Sequence, residues 1–156
     1  QYEQLLTDYL VRIDSQPSIT EDQHNQIKNM LYSVSDIERI SDHCENIAEL
    51  AQSKFNTKSA FSDDGIQDMK IISECVMLSI ENAIAAREGT IDDAVSVTRF
   101  YENKVDELEE KLREKHIDRL SRHICHTQAG IIFLDAISDL ERISDHAMNI
   151  ADYTQA

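Results

Sequence analysis

The chain has 156 residues, 41% hydrophobic and 29% charged, with 30 acids against 15 bases for a formal charge of −15. That length allows one domain with a real core or two small bundles sharing an interface. So acidic a surface repels phosphate backbones and anionic membranes, which argues against nucleic-acid binding and leaves cations or basic protein surfaces as partners.

One Pro and three Gly leave little punctuation for hairpins, and apolar residues recur at helical rather than strand spacing, so an all-α fold is expected. No apolar run reaches the roughly 18 residues of a membrane span, so no direct membrane insertion of this chain is expected. Cys44, Cys75 and Cys125 are too few and too scattered for a disulfide framework and read as reduced thiols. A cytoplasmic location follows as the expectation.

About five helices can be traced in chain order. The first runs to about Asp14, with Leu5, Leu6, Tyr9, Leu10 and Ile13 on one face, and Pro17 breaks it. Ser18 with Glu21, or Thr20 with Gln23, has capping-box spacing for a second helix that reaches about Ser53. A polar loop over 54–64 leads to a third helix started by Ser62, Asp63 or Asp64. Its apolar positions are Ile66, Met69, Ile72, Val76, Ile80, Ala83 and Ile84, and Gly89 ends it. Thr90 with Asp93 restarts the chain as a fourth helix with a stripe of Val97, Tyr101, Val105, Leu108 and Leu112. A loop over Leu120–His126 precedes a fifth helix that runs to about Asp152.

The second and fifth helices carry one motif. Asp36–Leu50 and Asp139–Tyr153 share ten of fifteen positions at an offset of 103 residues, with two further helices between them. The repeating unit is therefore an antiparallel three-helix bundle. Residues 65–156 form a complete repeat, 54–64 a linker, and 1–53 the end of an earlier repeat whose first helix is expected upstream. An incomplete three-helix unit leaves apolar surface uncovered, so a homo-oligomer or another covering chain is expected.

On a helical wheel, Ile37, Ile40, Cys44, Ile47, Ala48 and Ala51 fall together as a core stripe, as do Leu140, Ile143, Ala147, Ile150 and Ala151. Cys44 and Cys75 thus read as core residues. Glu38, Asp42, Glu45, Asn46 and Glu49 fall opposite, as do Glu141, Asp145, Asn149 and Asp152. Glu38 and Asp42 are one turn apart, as are Glu141 and Asp145, and Glu102 and Asp106 repeat the spacing on the fourth helix. Like charges so placed destabilise a helix by about 0.2–0.5 kcal/mol. A bound cation reverses that sign, because carboxylate oxygens are the preferred ligands of hard metals. Neighbouring fourth and fifth helices would bring four carboxylates to one groove. Against this stands the plain reading of a solvated acidic face, with Arg39 and Arg142 beside their Glu as partial neutralisers.

Other constellations weigh less. Glu21-x-x-His24 has di-iron spacing but no second copy. His116, His123, Cys125 and His126 lack standard zinc spacing and read as loop and capping residues. His43 and His146 read as partners of an adjacent helix surface.

The paired segments Asp-(Ile/Leu)-Glu-Arg-Ile-Ser-Asp-His-x-x-Asn-Ile-Ala resemble the PhoU domain family, where they close three-helix repeats. Tyr101–Glu110 is similar to that family's second helix, while 119–125 and 129–135 look most like the branch fused to the C-terminus of bacterial Na⁺/phosphate cotransporters. The resemblance implies a non-enzymatic regulatory domain of phosphate transport whose partner is a transporter membrane domain or another protein. It also implies multinuclear iron or zinc on Glu/Asp-x-x-x-Asp ridges, magnesium or manganese being alternatives. Carried over, the ligands are Glu102, Asp106, Glu141 and Asp145 in the complete repeat, with Glu38 and Asp42 in the earlier one. Thr7 and Asp8 do not restore the missing acidic pair there, and Ser41 and Ser144 stand where Gly is common. The competing readings are a metal-independent helical scaffold and, below it, a carboxylate metalloenzyme.

Overall fold

The computed structural model describes residues 1–122 and 126–155, and these form five helices: α1 (Tyr2–Asp14), α2 (Glu21–Asn56), α3 (Asp63–Glu88), α4 (Ala94–Ser121) and α5 (Thr127–Asp152). The all-α expectation holds, and the local signals explain the boundaries. After α1, the Ser15 hydroxyl donates back to the Val11 carbonyl at 2.7 Å, two residues short of Pro17. Thr20 and Gln23 close a full capping box on α2. The Ser62 hydroxyl accepts from the Gly65 amide at the start of α3, and Gly89 ends that helix in the left-handed conformation at φ 65°. Helix α2 continues to Asn56 and α4 to Ser121, each a little further than the apolar pattern alone predicts.

Helices α3, α4 and α5 form a three-helix bundle around Ile72, Cys75, Val76, Val105, Leu112, Phe133, Ile137, Leu140 and Ile143. Towards the C-terminal end of α5 the packing shifts to small residues, with Ala83, Ala147, Met148 and Ala151 in contact. There the Ser144 hydroxyl donates to that of Ser79 at 3.2 Å, both fully buried. At the other end Phe61 sits edge-on to Phe133, and Lys54 lies 4.9 Å from the Phe61 ring centre. His116 stacks on Phe133 at 4.6 Å, and burial followed by the Arg119 charge lowers its pKa, so it is a neutral core residue. Gly130 allows this approach: a Cβ there would lie 2.8 Å from Leu120 Cδ2.

Helix α2 packs along α5, and α1 packs on α2; among the described residues the backbone of α2 makes no close approach to α3 or α4. The core stripe expected on α2 is therefore only half realised. Ile40 and Ile47 pack against the bundle core, but Ile37 is 57% exposed and Cys44, Ala48 and Ala51 are exposed as well. The expectation that Cys44 lies in the core is corrected: its stripe has no helix in the place that α3 occupies over α5. Cys75 is buried as expected. On α3, Ile66 and Ile84 lie outside the core at 57% and 51% exposure. No helix among the described residues is long and apolar enough to cross a membrane.

Candidate functional site

The buried residues Val105 and Ser144 fix the faces that α4 and α5 turn to one another. Each sits next in sequence to an acid, so Asp106 and Asp145 emerge at the rim of the α4/α5 groove, with Glu102 one turn before Asp106. One carboxylate oxygen from each of Glu102, Asp106 and Asp145 lies within 4.8 Å of the others. Burial raises the pKa of Glu102, Asp106 and Glu141. Next come the like charges, led by Asp106 for Glu102 and by Asp145 for the other two, which also raise it. Four acids thus share one potential, and three of them converge.

Glu141 is the expected ligand that stands slightly apart. Its carboxylate lies 3.3 Å from Arg142 Nε, while Arg142 Nη1 donates to Asp145 at 3.1 Å. Further along the groove Arg99 pairs with Asp152 at 2.6 Å, and Arg113 pairs with Glu109. The ridge is therefore acidic at its centre with arginines at its margins. A set of carboxylates from two helices fits a hard cation better than a soft one, since it offers oxygen and no sulfur or imidazole.

Glu38 and Asp42 are not brought to any such cluster among the described residues. Both are exposed on α2, and no helix carrying a counterpart of Glu102 and Asp106 faces them.

The duplicated motif has a second role that reading it for ligands did not find. His43 and Asp139 are joined through Nδ1 and a carboxylate oxygen at 2.7 Å, and the Asn46 amide donates to that same oxygen at 3.2 Å. Reciprocally, His146 and Asp36 are joined at 2.7 Å and Asn149 donates to Asp36 at 3.3 Å. The two imidazoles stack with ring centres 5.8 Å apart. Early residues of each copy thus meet late residues of the other, so α2 and α5 run antiparallel about a local pseudo-twofold axis. The histidines are partners of the adjacent helix, as expected. Asn46 and Asn149, expected on the outward face, reach into the seam instead. The repeat itself held the signal: an acid seven residues before a His and ten before an Asn is self-complementary when two copies run antiparallel.

The remaining candidates fall into structural roles. His24 pairs with Asp14 at 2.6 Å across the α1–α2 connection. His126 is the N-cap residue of α5, and His116 is in the core. His123 and Cys125 lie outside the described residues.

The PhoU domain family matches residues 1–51 and 69–154. The phosphate-specific transport system accessory protein PhoU homolog 1 of Thermotoga maritima is 26% identical over 119 residues, covering 76% of this chain and 50% of that protein. The chain thus spans half the length of this curated relative. No solved structure matches. The match takes in both copies of the motif, the cross-helix clamp and the acid-bearing stretch of α4: the chain belongs to the PhoU family.

Proposed function

We propose that the chain is a regulatory domain of phosphate transport that works by protein contact and holds a metal ion on the α4/α5 ridge. Membership of the family, together with a relative named as an accessory protein of phosphate-specific transport, supports the regulatory reading. The observation that carries the metal reading is the convergence of Glu102, Asp106 and Asp145 from two helices, with Glu141 beside them. A divalent or trivalent cation there, iron, zinc, manganese or magnesium, would neutralise acids that otherwise repel one another. The role proposed is not enzymatic, in keeping with a family relative named as an accessory protein.

The contact surface proposed is the α1/α2 face, where Tyr2, Leu5, Leu6, Tyr9 and Ile37 are exposed. A covering chain, whether a second copy or a transporter's membrane domain, would bury them. The finer reading, that of a cytoplasmic tail of a Na⁺/phosphate cotransporter, is tested by recovering the full reading frame: membrane spans upstream support it, and their absence excludes it.

The regulatory and metal readings meet in one experiment. Protein isolated without chelator is analysed for metal, and phosphate uptake is followed in cells carrying wild type or the Glu102→Gln/Asp145→Asn pair. Metal in wild type, its loss in the variant, and uptake that no longer responds to external phosphate are expected. Equal metal in both proteins sinks the ligand assignment, and unchanged uptake in cells lacking the protein altogether sinks the regulatory role. The engagement of Arg142 with both Glu141 and Asp145 favours a second reading, an internally neutralised scaffold without metal. Negligible metal in the wild type would establish it.

A further inference from the structure

The two copies of the motif place an arginine identically, between a Glu and an Asp three residues on, yet the two arginines behave differently. Arg142 reaches both neighbours, Glu141 through Nε at 3.3 Å and Asp145 through Nη1 at 3.1 Å. Arg39 makes no ion pair with Glu38 or Asp42, nor with any other described residue. Sequence and helical spacing are the same in both, so local geometry does not explain the difference. α1 also faces α2 and carries Glu3, Asp8 and Asp14, but among the described residues only α4 brings two carboxylates, Glu102 and Asp106, to converge on the motif's own Asp145 and add their charge to it. That field draws the guanidinium onto the ridge.

We propose that Arg142 is the ridge's built-in counter-ion, competing with a bound cation for the Asp145 carboxylate and so setting the affinity of the site. The exposures fit a movable guanidinium over fixed acids: the Arg142 side chain is 57% exposed, those of Asp145 and Glu141 30% and 22%. A flexible, exposed arginine gains little from such a pair in water and can be displaced. A divalent ion held by three carboxylates offers the same acids a larger and closer charge. The arginine thereby keeps the ridge from collecting cations indiscriminately and holds binding in a range that changes with supply.

This inference rests on the metal reading above, and the test separates the two. Mn²⁺ is titrated into the wild-type chain and into Arg142→Gln, Arg142→Lys and Arg39→Gln, with free Mn²⁺ followed by electron paramagnetic resonance. Arg142→Gln is expected to bind about threefold to tenfold more tightly, from the removal of one nearby positive charge in a largely aqueous setting, and the gain shrinks as salt is added. Arg142→Lys, which keeps the charge, stays near wild type, and Arg39→Gln is unchanged. Thermal unfolding after chelator treatment gives a readout free of metal: Arg142→Gln unfolds at a lower temperature than wild type, and Arg39→Gln does not. If Arg142→Gln binds Mn²⁺ no more tightly, or more weakly, Arg142 positions Asp145 rather than competing for it, and the proposal is overturned. A wild type that takes up no Mn²⁺ overturns it as well, but by removing the metal reading beneath it.

Discussion

Helices α2 and α5 carry nearly the same thirteen-residue motif in two different surroundings, and each difference between them traces to a neighbour. On α5 the apolar stripe is closed by α3 and α4, with Leu140 at 8% exposure, Ile143 at 3% and Ala147 at 1%. On α2 the matching Ile37 is 57% exposed and Cys44 stands open. The acids follow the same logic. Asp145 converges with two carboxylates of α4, whereas Asp42 belongs to no such group of three among the described residues. What a motif does is thus decided by the helix opposite it, and the motif alone fixes only the face it presents.

The clamp between the two copies is the part they share, and even there the symmetry is imperfect. Asp36 receives His146 and Asn149, and burial first and the nearby Asp36 carboxylate second push the Tyr153 phenol up to about 12. Asp139 receives His43 and Asn46 in the same way, but Leu50 stands where Tyr153 would be.

The largest effect expected from breaking this comparison is in the stripe. Leu140→Ala should cost about 2–5 kcal/mol of stability by opening a cavity in the three-helix core. Ile37→Ala, at the matching site, should cost well under about 1 kcal/mol, as surface substitutions do. Urea unfolding of the two variants checks this, and equal losses would mean that α2 is covered in solution. Next comes the clamp. Asp36→Ala strands the His146 and Asn149 donors at the more buried of the two aspartates and should cost about 1–3 kcal/mol. Asp139→Ala strands two at a more open position and should cost less. A reversed order would mean that the burial of the aspartate does not set the strength of the clamp.

Smaller again is the effect of the ridge on stability, and its sign is opposite. An acid whose folded pKa is raised costs stability wherever it is ionised. The cost is absent below the unfolded pKa, where both states are protonated, and complete above the folded pKa. Glu102, Asp106 and Glu141 are all raised, by burial first and their neighbours second. Chelator-treated protein should therefore lose stability from the ridge as pH rises through the window just above the ordinary carboxylate range. Asp106→Asn should flatten that slope and stabilise the protein by a few tenths of a kcal/mol, roughly the size of a like-charge helical pair. Asp42→Asn relieves only the Glu38 pair within its own helix, without the charge of a facing carboxylate pair, and should stabilise less. Unfolding midpoints measured across that pH window decide between them.

Much of this was legible in the sequence. The Thr20/Gln23 capping box, the start at Ser62 among three candidate residues, the break before Pro17 and the stop at Gly89 act through local chemistry, so the helices could be placed from residues alone. Glu102, Asp106 and Asp145 could be paired across helices because the repeat makes α4 and α5 neighbours. The exposure of Cys44 and Ile37 was not legible from the stripe, since periodicity reports a face and not whether anything covers it. Nor was the placing of Arg142, because Arg39 has the same neighbours in sequence and a different field around it.

The central claim is that one copy of the motif, through its neighbour α4, builds a cation site while the other does not. Paramagnetic Mn²⁺ added in substoichiometric amounts to isotope-labelled protein tests it most directly, by broadening backbone amide signals near the bound ion. The account predicts broadening centred on Glu102–Asp106 and Glu141–His146 that falls off with distance and is weaker around Glu38–Asp42. Equal broadening at both motifs, or broadening centred on Glu38 and Asp42, would contradict it.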